Sequence, residues 1–190
     1  MTDMEKIQAY SMNEHSHNFA VWTVSRAAFR RFDNDEQNLI ELTQRLLNSC
    51  SISKEYTVVN LPNPEKFDEI HREWRNQMCE LKDDYERAGI THGRAAKIIN
   101  IYLKSRFLSL EKGVPDAKVV SIHPPIDRIL LESLEKSNFA GKAKIWQKFK
   151  KFNWTQFDST KYEEVIFNLK DSMNGQPLWK IEAFWNPTNT

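Results

Sequence analysis

The segment at residues 91–97 carries the residue types that a phosphate-binding helix start needs. Free N–H groups in the first turn of a helix attract anions, and a glycine lets a phosphate come close to the backbone. Two nearby cations would add affinity for a nucleic acid through the release of counterions. The sequence therefore predicts a contact with DNA at this helix start, made by Thr91, His92, Gly93, Arg94 and Lys97.

A second segment, at residues 123–128, places Asp127 at the start of another helix, directly after His-Pro-Pro-Ile. A carboxylate in that place could take part in catalysis. It could equally be an ordinary helix-start residue, because proline suits the first helical turn and the helix dipole favours an acid there. Both interpretations of Asp127 stay open on the sequence alone.

The stretch of residues 136–151 has six lysines and no acidic residue, and Trp146 and Phe149 lie among the lysines. Lysines can bind phosphates while aromatic rings stack on bases, so this composition suits a nucleic acid. The candidate DNA contacts therefore also include Lys142, Lys144 and Lys148. The alternative is a solvated helix whose two rings, three residues apart, face the protein core.

The segment at residues 65–86 has the opposite charge, with eight acidic and four basic residues. Together with the Lys-rich stretch at residues 142–151, it suggests a second class of function, a non-enzymatic helical module that binds other proteins. A DNA-binding protein would gather its basic residues around one groove, whereas an interaction module could leave them scattered. Neither the partner nor the oligomeric state follows from the sequence.

Metal and cofactor chemistry find no support in the residue spacing. His15 and His17 lie close together but have no third ligand at a suitable spacing. Cys50 and Cys79 are far apart, so we expect two reduced, buried thiols, with a single disulfide as the alternative. No phosphate-binding loop, dinucleotide fingerprint or nucleophile elbow occurs in the sequence. We therefore predict no metal and no cofactor.

The bulk composition of the chain excludes few functions. The 190 residues are 40% hydrophobic and 28% charged, which is ordinary for a globular protein. The net charge of +1 predicts no class of partner. The N-terminus is polar and lacks the apolar core of a signal peptide, and no apolar run approaches the length of a bilayer. We expect a cytoplasmic location.

Apolar residues recur at helical spacing along most of the chain, which predicts a mainly α fold. We expect a loose arm over residues 1–15 and a single domain of seven or eight helices over residues 16–190. Helices over residues 65–88 and 92–110 should pack together. Their buried side chains should include Trp74, Met78, Leu81, Ile98, Ile99, Tyr102 and Leu103. Further helices should begin near Asn18, Asp33, Pro125, Asp158 and Pro177, and a strand-like segment should lie within residues 111–122.

The two candidate segments together resemble the helix-hairpin-helix family of base-excision DNA glycosylases. Gly93 resembles a glycine of the hairpin that grips DNA, residues 96–103 resemble the buried helix, and Asp127 resembles the catalytic aspartate. The resemblance implies an acid that stabilises positive charge on the sugar or activates a nucleophile, acting on a base flipped out of the duplex. Ala95 stands where bifunctional members have a lysine, so the resemblance implies a monofunctional glycosylase with a helix-hairpin-helix centre.

A broader resemblance links four stretches of the chain to an uncharacterised family of small bacterial proteins. These stretches are HNFAVWTVSRAA, KIINIYLKS, HPPIDRILLESL and LWKIEAFW. This second resemblance implies a bacterial origin and no particular activity.

Overall fold

The computed structural model describes residues 3–29, 36–81, 90–110 and 116–185. Over these residues the chain forms nine α-helices and six short 3₁₀ helices, and it contains no strand. The predicted mainly α fold is therefore confirmed. In chain order the α-helices are α1 (Asp3–Ala9), α2 (Met12–Ala28), α3 (Glu36–Ser49), α4 (Phe67–Glu80), α5 (His92–Arg106), α6 (Ala117–Val120), α7 (Arg128–Lys136), α8 (Ala143–Lys151) and α9 (Ser159–Met173).

Helix α5 lies at the centre of the fold because apolar side chains cover most of its circumference. Thr91 caps this helix, since its hydroxyl accepts a hydrogen bond from the Arg94 N–H at 3.3 Å. One side of α5 packs against α2 and α4, and another packs against α9 and the 3₁₀ helix Trp154–Gln156. The cap and the central position that the sequence predicts for this helix are both observed.

The core consists of two clusters of buried apolar side chains, and α5 contributes to both. The first cluster is built mainly from α2, α3 and α4, with Leu46 and Trp74 among its members. The second is built mainly from α7, α8 and α9 and contains Trp146. Ile98 of α5 belongs to the first cluster and Ala96 to the second. Helix α5 therefore joins the two halves of the core.

The predicted packing of α4 against α5 is confirmed. The buried side chains include six of the seven that the sequence predicts, namely Trp74, Met78, Ile98, Ile99, Tyr102 and Leu103. Leu81 is only partly buried, at the point where α4 has ended and the backbone turns to an extended conformation. The predicted continuation of this helix towards residue 88 falls within residues 82–89, outside the described residues.

The N-terminal part of the chain is more helical than its sequence period suggests. Residues 3–9 form α1, and α2 begins at Met12 rather than near Asn18. The earlier start follows from Ser11, whose hydroxyl accepts a hydrogen bond from the Glu14 N–H at 3.1 Å and so caps the helix. The division of the chain into an arm and a domain stays a prediction.

Two predictions about the middle of the chain are wrong. Residues 117–120 form helix α6 and not a strand-like segment, because the Asp116 carboxylate accepts a backbone N–H at 2.7 Å and caps a helix there. Pro125 lies before α7 rather than in its first turn, since Asp127 takes the capping position. The helix start expected near Asp33 lies outside the described residues.

The C-terminal part of the chain follows the predicted helix starts. Asp158 caps α9, with its carboxylate accepting a hydrogen bond from the Lys161 N–H at 2.7 Å. Pro177 directly precedes the 3₁₀ helix Leu178–Phe184. These two elements close over the second core cluster, to which Leu178 contributes.

Candidate functional site

The start of α5, where the sequence predicts a phosphate contact, is covered by the protein itself. The Gly93 N–H donates a hydrogen bond to the Phe157 carbonyl at 3.0 Å. The Thr91 hydroxyl donates to the Thr155 carbonyl at 2.7 Å. A Cβ atom at position 93 would lie 1.9 Å from the Trp154 carbonyl oxygen, so only glycine fits there. Gly93 therefore admits a segment of this chain, and the expected helix-hairpin-helix contact with DNA finds no support in this geometry.

Asp127 is held in a buried ion pair and caps α7. Its carboxylate lies 3.2 Å from the Lys97 ammonium, and both side chains are buried. It also accepts hydrogen bonds from the Leu130 N–H at 3.0 Å and from the Trp185 indole N–H at 3.3 Å. The Lys97 ammonium lies 4.4 Å from the centroid of the Trp154 ring. The structure thus favours the helix-start interpretation of Asp127, and it places Lys97 towards the interior rather than on a DNA-binding surface.

His92 and Arg94 lie next to the covered helix start and are both partly buried. Burial, followed by the positive charge of Arg75, lowers the pKa of His92 below its ordinary value. Burial likewise lowers the pKa of Arg94. The His92 Nδ1 atom is buried and has no hydrogen-bond partner among the described residues. These two predicted DNA contacts therefore stay beside α5 and do not extend a basic surface on α8.

Helix α8 combines a buried aromatic side with an exposed basic side. The rings of Trp146 and Phe149 are both buried in the second core cluster. The Trp146 indole N–H donates to the Phe139 carbonyl at 3.0 Å, so its one polar group is satisfied inside the protein. These two rings pack as the solvated-helix alternative predicts and cannot stack on a base.

Half of the lysines in and around α8 form ion pairs with other helices. Lys142 pairs with Asp171, and Lys150 pairs with a glutamate of α7. Lys148 lies 3.6 Å from Glu164 and keeps an exposed side chain. Lys144 and Lys151 are exposed, and neither forms an ion pair with a described residue. Of the three predicted lysines, Lys144 and Lys148 thus remain available to a partner, whereas Lys142 is engaged by the protein.

The exposed lysines border a surface depression of about 410 Å³. We call the residues that line it the α8 outer face: they are Lys144, Gln147, Lys148, Lys151 and Phe152. Phe152 is 50% exposed, and the Lys161 ammonium lies 5.0 Å from its ring centroid. The sequence analysis did not assign Lys151, Gln147 or Phe152 to a site. Their common signal was an aromatic residue that directly follows a helix rich in exposed lysines.

A chain of buried hydrogen bonds is the second feature that sequence reasoning missed. We call it the polar chain, and its members in order are Arg75, His71, Asn100, Tyr162, His123 and Asp68. Its first half starts where the Arg75 Nε–H donates to His71 Nδ1 at 3.2 Å. Because Nδ1 accepts, His71 carries its proton on Nε2, which donates to the Asn100 carbonyl oxygen at 2.9 Å.

The second half of the polar chain continues in the same direction. The Asn100 amide donates to the Tyr162 hydroxyl at 3.1 Å, and that hydroxyl donates to His123 Nδ1 at 3.1 Å. His123 then donates from Nε2 to the Asp68 carboxylate at 3.0 Å. An arginine that can only donate and a carboxylate that can only accept thus set the direction of every bond between them. Asn100 is the hydrogen-bonded core amide that its place in an apolar helix predicts.

Both histidines of the polar chain are neutral in this arrangement. Burial holds the pKa of His71 well below its ordinary value, and the positive charges of His123 and Arg75 lower it further. Burial also lowers the pKa of His123, although the hydrogen bond with Asp68 opposes the shift. The hydrogen bond from His123 holds the pKa of Asp68 well below its usual range. Burial raises the pKa of Tyr162, so this hydroxyl stays protonated.

The Arg75 end of the polar chain is anchored by Glu163 of α9. The Glu163 carboxylate lies 3.0 Å from Arg75 and 2.7 Å from Arg72. Although burial alone would raise the pKa of Glu163, hydrogen bonds from Arg72, Ser159 and Arg75 lower it to about 2. The polar chain therefore ties α4, α5, α9 and the segment before α7 together, with its central groups closed off from a substrate.

The acidic side of α4 is partly neutralised within the protein. Asp68 pairs with Lys170 as well as with His123, and Glu69 pairs with Lys66 at 2.9 Å. Exposed carboxylates remain at Glu73 and Glu80. A protein partner for this surface stays a prediction.

The described residues hold no group of three or more His, Cys, Asp or Glu side chains that could bind a metal. His15 contacts the Tyr10 hydroxyl at 3.3 Å, and His17 contacts the Tyr102 hydroxyl at 2.8 Å. Cys50 is a free, buried thiol, and burial raises its pKa to about 12. No helix of the described residues has the length and apolar character that a membrane crossing requires.

Comparisons with protein-family models, with curated proteins and with solved structures find no match for this chain. The arguments about function therefore rest on the geometry of its own side chains.

We predict that Asp127→Asn lowers the free energy of unfolding by about 3–5 kcal/mol, because it leaves the buried Lys97 ammonium without its counter-charge. Asparagine keeps the capping function, so the loss reports the ion pair rather than the cap. Reversible denaturant unfolding measures the change.

Asp158→Asn is the matched control, because it makes the same chemical change at an exposed cap of another helix. This control should cost only a few tenths of a kcal/mol. Combining Asp127→Asn with Lys97→Met should recover part of the loss, since the unpaired charge is then gone. An Asp127→Asn variant as stable as the control would contradict the buried pair.

We also predict that the free energy of unfolding rises with pH between about 5 and 7, where unfolded histidines lose their protons. In the folded protein His71 and His123 have lowered pKa values and stay neutral in that range. The unfolded state therefore binds more protons than the folded state, and stability falls as the pH drops. Denaturant unfolding at several pH values measures the slope.

His71→Leu should reduce that slope by about one proton, or roughly 1.4 kcal/mol per pH unit, even though the variant is also less stable. His15→Gln serves as the control, because His15 is only partly buried and lies outside the polar chain. An unchanged slope in His71→Leu would show that His71 does not stay neutral in the folded protein.

Proposed function

We propose that this protein binds nucleic acid through the α8 outer face. The observation that supports the proposal is the gathering of three exposed ammonium groups, an amide and a half-exposed ring around one depression. Lys144 and Lys151 are seven residues apart, which is about 10.5 Å along a helix, and Lys148 lies between them. This is the combination of cations and an aromatic ring that nucleic-acid surfaces use.

The local charge of α8 also favours a polyanion. Residues 142–151 carry five lysines and no acid, whereas the whole chain has a net charge of only +1. Two of these lysines, Lys142 and Lys150, are neutralised by ion pairs with other helices. Three cations therefore remain for phosphates. With so few contacts we expect modest affinity that falls with salt, as in binding without sequence specificity.

We propose a binding protein rather than a glycosylase that acts through Asp127. A catalytic aspartate would have to face a flipped base, but Asp127 is enclosed by Lys97, Leu130 and Trp185. The hairpin contact expected at Gly93 is likewise taken by a carbonyl group of the protein. The α8 outer face is the one of the predicted DNA contacts whose side chains are exposed to a partner.

We predict that binding of a DNA oligonucleotide weakens with salt, with a slope of log K against log salt of roughly −2 to −3 for three phosphate contacts. The double variant Lys144→Gln with Lys151→Gln should make the slope shallower by about 1.5 to 2, because two of the three contacts are lost. Fluorescence anisotropy titrations at several salt concentrations measure both slopes.

The matched control is Lys54→Gln with Lys180→Gln, which removes the same charge from two exposed lysines outside α8. This control should keep the wild-type slope. Absence of binding by the wild-type protein at low salt, or equal effects of the two double variants, would refute the proposed surface.

A further inference from the structure

Phe152 is placed at the end of α8 in a way that leaves part of its ring to solvent. It is the residue that terminates the helix, with extended backbone angles, and its side chain is 50% exposed. The Lys161 ammonium lies 5.0 Å from the ring centroid and so orders the ring through a cation–π contact. One part of the ring is thus held by the protein, and the exposed part can receive another planar group.

The lysines of the α8 outer face lie beside this ring and surround Gln147. Phosphate groups could contact Lys144, Lys148 and Lys151 while a base from the same strand reaches Phe152. In a duplex the faces of the bases are covered by their neighbours, so the ring would gain no stacking partner. A single strand exposes both its phosphates and its base faces to a protein surface.

We infer that the α8 outer face recognises single-stranded nucleic acid, with an unpaired base stacked on Phe152 and the backbone phosphates on Lys144, Lys148 and Lys151. This inference rests on the proposed nucleic-acid binding and assigns its substrate class. Three ammonium groups serve a duplex and a single strand alike, and the ring makes the difference between them. Base stacking of this kind changes affinity by roughly five- to hundredfold.

The test compares one fluorescent single-stranded DNA with the duplex formed from it and its complement, at a single low salt concentration. The wild-type protein should bind the single strand at least about fivefold more tightly. Phe152→Leu keeps an apolar side chain but loses the flat ring, so it should weaken single-strand binding about fivefold or more and leave duplex binding unchanged. Phe152→Trp should restore the preference, because a larger ring stacks as well.

Phe19→Leu is the matched control, since Phe19 is 56% exposed on α2 and belongs to the other half of the molecule. It should leave both affinities unchanged. Equal binding of single strand and duplex, or equal weakening of both by Phe152→Leu, would overturn the single-strand inference while leaving nucleic-acid binding in place. Absence of binding to both DNAs would overturn the proposed function as well. Thermal unfolding of each variant separates a loss of folding from a loss of contact.

Discussion

The burial of α5 on nearly every side is the constraint on which the rest of the structure depends. A buried polar group that lacks a partner is costly, so each polar side chain of this helix needs one inside the protein. Lys97 finds Asp127, and Asn100 finds His71, Tyr162 and the Pro124 carbonyl. These partners come from four other parts of the chain. The polar groups of α5 therefore determine how the surrounding helices lie, although apolar burial provides most of the stabilisation.

The same constraint moves the candidate function away from α5. Its first turn is closed by the segment that carries Trp154 and Phe157, because Gly93 allows that segment to touch the helix backbone. Helix α8 is constrained differently, since it buries Trp146 and Phe149 and leaves its other side to solvent. Exposed lysines there cost the fold little, so they are free to serve a partner. A surface used for binding thus lies on a helix that is only half buried.

Local sequence patterns predicted much of this fold and little of its polar interior. The spacing of apolar residues was enough to place Trp74 and Ile98 in a shared core, and the polar residue types at 91 and 158 were enough to locate two helix starts. The partner of Lys97 lies 30 residues away and that of His71 lies 29 residues away. No spacing rule links positions so far apart, because the pairing depends on how helices pack. Gly93 shows the same limit, since a glycine at a helix start admits a phosphate and a neighbouring backbone equally well.

The central claim is that a nucleic acid contacts α8 and not the covered start of α5. Nuclear magnetic resonance tests it directly, by following the backbone amide signals while a single-stranded oligonucleotide is added. The account predicts that the signals of Lys144, Gln147, Lys148, Lys151 and Phe152 shift, whereas that of Gly93 stays in place because its N–H is bound to the Phe157 carbonyl. Shifts concentrated at Gly93 and its helix start, with α8 unaffected, would contradict it.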